Sequence, residues 1–503
     1  MRRLEPIPIN PVELNAKMGM KALTVVRPPV WPYIAAVLAI ALGVYGRTIA
    51  PDLTWANAAV DGGELITASM TLGIPHPPGY STYVLLGKLV SFFPVGSVAF
   101  RYNLFSAVCM AMAAGFLAGT IINLVRPAAK PFFAVAAALI FAFIPLVWSQ
   151  AVVAEVYALN VFLLSAFLFV TSRYGAGLRS GLLLGLALTA HLTSLFMLPF
   201  ACLMPMPRSW TRLGLGFSMG LAPMLVLPIL ALGNSPVIWG DPTTLAGWWW
   251  LISGRLYQDN IQFSLDGDRL RGLLNSIFLG PVAILTARDR ILPVVNPRIG
   301  KLSDIWKTRI ILAGTAGFYY LFALFYQTPD ASVLLIPGLM LLTTLLAPLL
   351  RPLKAFALLV PALMILIVYQ NQDLSRESEV RPLAESVLLA APESAILLTP
   401  GDRTIFTLWY FQHIEQQRPD VYLIDSNLFA FDWYRTRLAN LYPDLWLPAN
   451  DDLAAFQSNN LENHAFCVAG LVTEPPVIPL SVTNQSLFPG PNGPHLYCQE
   501  RNP

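Results

Sequence analysis

The first residues able to do chemistry form the acidic motif Asp61-Gly62-Gly63-Glu64, which follows the first long apolar segment. Two carboxylates three positions apart share one face of a helix, and the neighbouring glycines let a substrate approach the backbone. A carboxylate held at a membrane surface can accept a proton from an attacking hydroxyl group. We therefore assign proton abstraction to Asp61 and positioning of the acceptor or sugar to Glu64. The alternative for Asp61 is a purely structural role as a helix N-cap.

Three further polar residues interrupt or begin apolar segments. Glu155 begins one such segment, Tyr157 follows it, and His191 lies inside another. Ionisable residues at membrane depth usually face a cavity or a partner, because lipid solvates them poorly. We expect these three residues to help position the acceptor or the sugar. The alternatives are that Glu155 reaches for interfacial water and that His191 is a hydrogen-bonded structural residue.

His76 lies between prolines in the turn Pro75-His76-Pro77-Pro78-Gly79. A ring held in such a turn loses little entropy on binding, so His76 can bond a phosphate or orient Asp61, unless its role is structural. The histidines and carboxylates lack the His-Glu-x-x-His pattern and the close His/Cys spacing of metal sites. We therefore expect no metal.

Few positive charges accompany the acidic motif, so each is informative. Arg255 is the first candidate for neutralising a lipid phosphate, with Tyr257 beside it, because the planar guanidinium matches phosphate oxygens. Lys88 and Arg101 are further candidates. Their alternative role is to extend along the membrane interface towards water.

The elements that must position these residues are membrane-spanning helices. Of the 503 residues, 55% are hydrophobic and only 12% are charged, whereas soluble domains carry roughly 25% charged residues. The mean hydropathy is +0.58. The net charge of +3 is too small to indicate a nucleic-acid partner. Uncharged runs approach the ~20 residues that cross a bilayer. We predict an all-α polytopic bundle of about eleven spans, near 30–48, 98–125, 131–149, 155–172, 180–190, 192–206, 213–232, 273–287, 310–327, 331–350 and 354–370.

The distribution of lysine and arginine predicts the orientation of the bundle. If segment 1–29 is cytoplasmic, every short basic loop obeys the positive-inside rule, provided that 180–206 crosses twice as two short helices meeting near His191. Loops 49–97 and 233–272 and the tail are then exterior. We expect a multi-pass protein of the cell's inner membrane, with a periplasmic tail.

The exterior parts have their own predicted structure. Loop 49–97 is too apolar for a solvated connection, so residues 61–72 and 79–93 are predicted as two helices along the membrane surface. The membrane domain covers 30–370. Residues 371–503 are predicted to form a small α/β domain, with strands at 395–399 and 421–424 and helices at 406–417 and 433–441. Cys467 and Cys498 pair there if the tail faces an oxidising compartment, and otherwise stay free.

Three passages resemble the DUF2723 family, the bacterial relatives of the transmembrane protein 260 O-mannosyltransferases within the GT-C superfamily. The first passage runs from the acidic motif through His-Pro-Pro-Gly-Tyr at 76–80, the second covers 185–193, and the third is Trp-Gly-Asp-Pro at 239–242 followed by Arg255 and Tyr257. The tail at 399–410 matches more loosely. Gly62 and Ser81 depart from the residues that relatives often carry, which leaves the acceptor open among protein, lipid and glycan.

The resemblance implies a GT-C-like fold, a polyprenyl-phosphate sugar as donor substrate, no other cofactor, an exterior active site, inversion at the anomeric carbon and Asp61 as the base. The sequence therefore favours a lipid-linked-sugar glycosyltransferase acting on an acceptor hydroxyl, as in protein O-mannosylation. The first alternative is a transporter or flippase for a polyprenyl-linked lipid, because a polar pocket in a helical bundle also serves transport. A non-catalytic receptor that binds a partner through its tail is the second.

Overall fold

Apolar helices form most of the chain before residue 372. The computed structural model describes residues 29–124, 131–263, 267, 302–471 and 494–499. The helices of this part are α1 Trp31–Thr48, α2 Gly62–Thr71, α3 Ser81–Val90, α4 Val98–Leu124, α5 Phe132–Ala142, α6 Pro145–Ser149, α7 Val156–Tyr174, α8 Leu178–Ala190, α9 Leu198–Leu203, α10 Trp210–Gly220, α11 Leu227–Ala231, α12 Leu245–Ile252, α13 Leu302–Phe325, α14 Ile336–Leu346 and α15 Leu359–Gln372.

The predicted multi-pass helical architecture is confirmed. Five helical segments within the described residues are long and apolar enough to cross a membrane: Val98–Leu124, Val156–Tyr174, Trp210–Ala231, Trp306–Phe325 and Ala331–Gln372. Of the other predicted spans that fall on described residues, 30–48 is the single helix α1, and the rest are shorter or broken helices. For example, 131–149 is split between α5 and α6, because Pro145 starts a new helix. The predicted span 273–287 lies outside the described residues.

The segment around His191 forms a helical hairpin. Helix α8 ends at Ala190, His191 follows as its C-cap residue, and the chain returns through the 3₁₀ helix Leu192–Met197 and then α9. The backbone of Ala176 accepts a hydrogen bond from Ser209 N at 3.0 Å and donates one to the Pro207 carbonyl at 2.9 Å. The two open ends of the hairpin therefore meet, and His191 lies at the closed end, whereas the double crossing of the membrane stays a prediction.

Close backbone contact between α8 and α10 holds this hairpin in place. A Cβ atom on Gly181 would lie 2.1 Å from the Leu213 carbonyl oxygen, and one on Gly216 would lie 2.0 Å from the Leu178 carbonyl oxygen. Each helix carries a pair of glycines four residues apart, Gly181 and Gly185 on α8 and Gly216 and Gly220 on α10, which is the pattern that lets membrane helices approach closely. This contact holds α8 against α10 and thereby fixes the position of His191, which follows the C-terminal end of α8.

The two predicted surface helices are present as α2 and α3, but α2 is not exposed. Its residues from Gly62 to Ser69 are all buried, because the tail covers this part of the loop. A Cβ atom on Gly63 would lie 2.3 Å from the carbonyl oxygen of Phe406 in the tail. The acidic motif is therefore enclosed between the bundle and the tail.

The tail is the predicted small α/β domain. Its helices are α16 Val380–Ala390, α17 Asp402–Trp409, α18 Asp432–Leu441 and α19 Leu453–Asn460, and its strands are β1 Ile396–Thr399, β2 Tyr422–Asp425, β3 Phe466–Gly470 and β4 His495–Gln499. The strand order is β2-β1-β3-β4, with β1 parallel to both neighbours and β4 antiparallel to β3. Cys467 and Cys498 face each other on β3 and β4 and are joined in a disulfide.

Polar contacts attach the tail to the first loop. Arg381 Nε lies 2.6 Å from Asp52 Oδ2, and its Nη2 lies 2.5 Å from Glu415 Oε1, so one guanidinium joins the loop to the tail. Trp55 Nε1 donates a hydrogen bond to Thr407 Oγ1 at 3.0 Å. These contacts and the packing at Gly63 set the position of α17 relative to α2.

Candidate active site

A cavity of about 680 Å³ lies where the first loop, the bundle and the tail meet. This volume is within the ~300–1,000 Å³ common for small-molecule sites. Five of the ten residues predicted for the site line it, together with aromatic side chains from several elements. The predicted residues among the lining are Asp61, His76, Tyr157, His191 and Tyr257.

Asp61 is the carboxylate of the cavity that the first loop supplies. It immediately precedes α2, yet its side chain makes no capping hydrogen bond. Instead the side chain lines the cavity and remains 31% exposed. The capping alternative is thus not what the structure displays, and the carboxylate is accessible to a substrate.

Glu64 and His76 form a buried ion pair behind Asp61. Glu64 is fully buried and accepts a hydrogen bond from the His76 backbone N at 3.0 Å, while its other oxygen lies 2.5 Å from His76 Nδ1. His76 Nε2 lies 3.7 Å from Asp61 Oδ2 and 3.2 Å from the Tyr80 hydroxyl. Glu64 does not line the cavity. Its contacts place it behind His76, where it orients the imidazole that faces Asp61.

The pKa values of these three groups follow from their enclosure. Burial raises the pKa of Asp61 to about 6, with His76 opposing this shift and Glu64 adding to it. Burial alone would lower the pKa of His76, but Glu64 and Asp61 outweigh it and raise that pKa to about 10. Burial also raises the pKa of Glu64, against the effect of His76. Asp61 is therefore mostly ionised near pH 7, beside a cationic imidazole.

The loop between α11 and α12 holds the His76 turn in place. Ile74 N donates to the Val237 carbonyl at 2.8 Å, and Trp239 N donates to the Ile74 carbonyl at 3.0 Å. The ring centroids of Trp239 and Tyr257 lie 6.1 and 5.9 Å from that of His76. The Trp-Gly-Asp-Pro passage therefore supports the acidic loop, and Tyr257 reaches the cavity.

Tyr157 and His191 form another wall of the cavity. The Tyr157 hydroxyl donates a hydrogen bond to Asp330 Oδ2 at 2.9 Å, and the centroid of the His191 ring lies 5.5 Å from that of Tyr157. His191 Nδ1 lies 2.9 Å from Thr193 Oγ1. Aromatic rings beside carboxylates suit a sugar, because the rings cover its apolar faces and the carboxylates accept hydrogen bonds from its hydroxyl groups.

Glu155 lies near this wall but does not line the cavity. Its side chain is buried, and its Oε1 atom makes no hydrogen bond within the part of the chain that the structure describes. The interfacial alternative required contact with water, which this burial does not provide. A direct role for Glu155 in positioning the substrate stays a prediction.

The predicted phosphate-binding cations lie away from the cavity lining. Arg255 is exposed and donates a hydrogen bond to Gln258 Oε1 at 2.9 Å, although Gly254 and Tyr257 on either side of it line the cavity. Lys88 Nζ donates to the Met70 carbonyl at 2.5 Å. Arg101 Nη1 donates to the Ser91 carbonyl at 2.9 Å. Arg255 is the one of the three closest in sequence to the cavity, and all three phosphate roles stay predictions.

Two carboxylates of the cavity, Asp330 and Asp402, were not predicted as site residues. Asp330 follows Thr328 and Pro329 between two apolar helices, on the side that the predicted topology calls exterior. That position alone, a lone carboxylate at the same level as Asp61, was a usable signal. Asp402 was noted only within the loosely matching tail passage, because no sequence pattern brings the tail to the cavity.

The described residues contain no evident metal-binding site. No group of three or more histidine, cysteine, aspartate or glutamate side chains within the described ranges is arranged to hold a metal ion. The expectation that no metal takes part stays a prediction. The groups present can accept a proton, orient hydroxyl groups and stack against a ring.

Known families match at the parts that build the cavity. The family model described as the protein O-mannosyl-transferase TMEM260 N-terminal domain matches residues 61–214, and TMEM260-associated domain 2 matches residues 380–443. The first range contains Asp61, His76 and His191, and the second contains Asp402. The expected resemblance to the transmembrane protein 260 family is confirmed, whereas the DUF2723 assignment stays a prediction.

Two curated relatives carry the same family name. The mouse (Mus musculus) protein O-mannosyl-transferase TMEM260 is 29% identical over 78% of this chain and 62% of its own length. The Dictyostelium discoideum protein O-mannosyl-transferase tmem260 is 22% identical over 81% of this chain and 58% of its own length. The chain thus spans about three fifths of the length of the relatives that it matches.

A solved structure also aligns along most of the chain. ArnT from Cupriavidus metallidurans, in a crystal structure bound to undecaprenyl phosphate, aligns with a TM-score of 0.49 and 13% identity, covering 93% of this chain and 98% of that chain.

Proposed function

We propose that this chain is a membrane glycosyltransferase that moves a sugar from a polyprenyl-phosphate donor to an acceptor hydroxyl group. By similarity to relatives named protein O-mannosyl-transferases, the sugar is mannose and the acceptor is a protein. The observation that carries the proposal is the position of Asp61. Its carboxylate faces the cavity, makes no capping hydrogen bond and lies 3.7 Å from a buried histidine that favours its ionised form.

The reaction is a single displacement at the anomeric carbon. Asp61 accepts the proton of the acceptor hydroxyl while the acceptor oxygen forms a bond to that carbon and the bond to the phosphate oxygen breaks. The polyprenyl phosphate leaves with the bonding electrons and needs no proton, because a phosphate monoester is a stable anion. Attack from the face opposite the phosphate inverts the anomeric configuration.

The remaining residues of the cavity hold the sugar and the lipid phosphate. Tyr157, Asp330 and His191 position the sugar hydroxyl groups from the bundle side. Arg255 and Tyr257 receive the phosphate at the edge of the cavity, where the exposed guanidinium exchanges its hydrogen bond to Gln258 for the phosphate oxygens. Glu64 contributes through His76 rather than by touching the substrate.

We place the reaction on the exterior face of the membrane. The positive-inside distribution of the basic loops supports this orientation, and so does the Cys467–Cys498 pair, because disulfides persist in oxidising compartments.

Cysteine labelling tests the orientation in intact cells. A cysteine at Asp451 in the tail is expected to react with an impermeant thiol reagent, whereas one at Arg179 reacts only after the membrane is permeabilised. Both residues are exposed, so accessibility to the reagent depends on the side of the membrane. Labelling in the opposite order would contradict an exterior site.

Transfer is tested with purified protein in lipid nanodiscs, undecaprenyl-phosphate mannose as donor and a panel of serine- and threonine-containing peptides. We expect release of free undecaprenyl phosphate and mannose attached to peptide. Undecaprenyl-phosphate glucose serves as the comparison donor. Movement of intact donor across a vesicle bilayer without release would favour the transporter instead.

A further inference from the structure

We infer that Asp402, in the tail, binds the acceptor and that the tail thereby forms the acceptor side of the active site. This inference rests on the proposed glycosyl transfer and adds to it a residue from the second domain. Asp402 and Phe406 line the same cavity as Asp61. The cavity is therefore shared between the membrane domain and the α/β domain.

The fold of the tail explains why Asp402 lies at the cavity. Asp402 begins α17 directly after β1, which is the central parallel strand of the sheet. In open α/β sheets, ligands bind beyond the carboxyl ends of the strands, at the point where the connections from two adjacent strands run to opposite sides of the sheet. Strands β2 and β3 lie on either side of β1, so the loop after β1 is such a place. Here that edge of the sheet faces the membrane domain.

Asp402 is also held rigidly relative to Asp61. The backbone of Phe406 touches Gly63 so closely that a methyl group on Gly63 has no space. The Phe406 ring lies parallel to the His76 ring, with centroids 6.4 Å apart, and Thr407 accepts the hydrogen bond from Trp55. These contacts hold α17, the helix that carries Asp402, in a fixed position relative to the acidic motif.

The domain that supplies each lining residue indicates that Asp402 contacts the acceptor rather than the donor. A donor with a polyprenyl chain must enter from the bilayer, and the bundle supplies apolar lining such as Leu192, Phe196 and Phe322. A protein acceptor arrives from water, where the tail lies. Inversion requires the acceptor to approach from the face opposite the lipid phosphate. A carboxylate on the tail side accepts hydrogen bonds from hydroxyl or backbone N–H groups of a peptide.

Two reactions of the same enzyme separate acceptor binding from donor chemistry. Transfer of mannose to peptide needs the acceptor site, whereas slow hydrolysis of undecaprenyl-phosphate mannose uses water in its place. For Asp402→Asn we expect the peptide KM to rise, and kcat/KM for peptide to fall, by about 10- to 100-fold, as for loss of a charged hydrogen bond. The loss of peptide transfer should exceed any change in the hydrolysis rate or the donor KM by at least about fivefold, because hydrolysis does not use the acceptor site.

Asp451→Asn is the matched control, because it makes the same change at an exposed position of the same domain. Hydrolysis retained by Asp402→Asn also demonstrates that the variant is folded. Peptide transfer equal to wild type would overturn the inference, and so would an equal loss of transfer and hydrolysis. If the wild-type protein neither hydrolyses nor transfers mannose, the proposed function itself fails, which is a different result from an active enzyme indifferent to Asp402→Asn.

Discussion

Asp61→Asn is expected to lower mannose transfer and donor hydrolysis together, by about 10²- to 10⁴-fold, the contribution of a general base. Asparagine has nearly the same shape as aspartate but cannot accept the proton. Because the side chain makes no capping hydrogen bond and is partly exposed, the replacement should leave the folded protein intact. The measurement is the rate of undecaprenyl phosphate release, with and without peptide.

The pH dependence gives a second check on the same residue. Transfer requires ionised Asp61, whose pKa burial raises to about 6, so the rate should fall as the pH drops through that value. The acid side of the profile should accordingly be centred near pH 6, above the usual range of an aspartate. Asp451→Asn should retain both the wild-type rate and this profile. Release that survives Asp61→Asn would remove the assignment of Asp61 as the base.

Sequence reasoning reached the parts of the site that depend on membrane topology. Placing basic loops on one side of the bilayer put Asp61, His191 and the start of α7 at one level, and the structure brings Asp61, His191 and Tyr157 around one cavity. The positive-inside rule predicts two short helices that meet near His191, and the structure has a hairpin whose closed end lies there. Asp330 lies on the same side of the predicted topology as Asp61, so the same argument applies to it.

The residues that sequence reasoning placed less well depend on packing between distant segments. Nothing local indicates that α17 touches Gly63, so Asp402 was not assigned to the site and α2 was expected at an open surface. Glu64 was expected to touch the substrate, because the face that it shares with Asp61 suggested one binding surface. The turn at residues 76–80 folds back over Glu64 and takes both of its oxygens. Contacts between separate segments of the chain depend on the tertiary structure, which local sequence patterns do not predict.

Glu64→Gln tests whether the buried carboxylate acts through His76. The change removes a negative charge that raises the pKa of His76, so that pKa falls and the imidazole loses its proton more readily. Glu64 itself raises the pKa of Asp61, but His76 lowers that pKa by more, so losing the charge of the imidazole outweighs losing the charge of Glu64 and raises the pKa of Asp61. We therefore expect the acid side of the pH profile to move to higher pH, and kcat to fall about 10- to 100-fold because the base is less well positioned.

This variant also separates an electrostatic role from a structural one. Glu64 is fully buried, so replacing a charged hydrogen-bond partner should cost about 1–3 kcal/mol of stability, which a lower thermal midpoint in detergent would report. A purely structural role lowers the midpoint and leaves the pH profile of the remaining activity in place. Glu64→Asp keeps the charge and should keep the wild-type profile at a lower rate, while Glu379→Gln at an exposed position should change neither quantity. A Glu64→Gln enzyme with an unmoved profile would mean that His76 does not transmit the charge of Glu64 to Asp61.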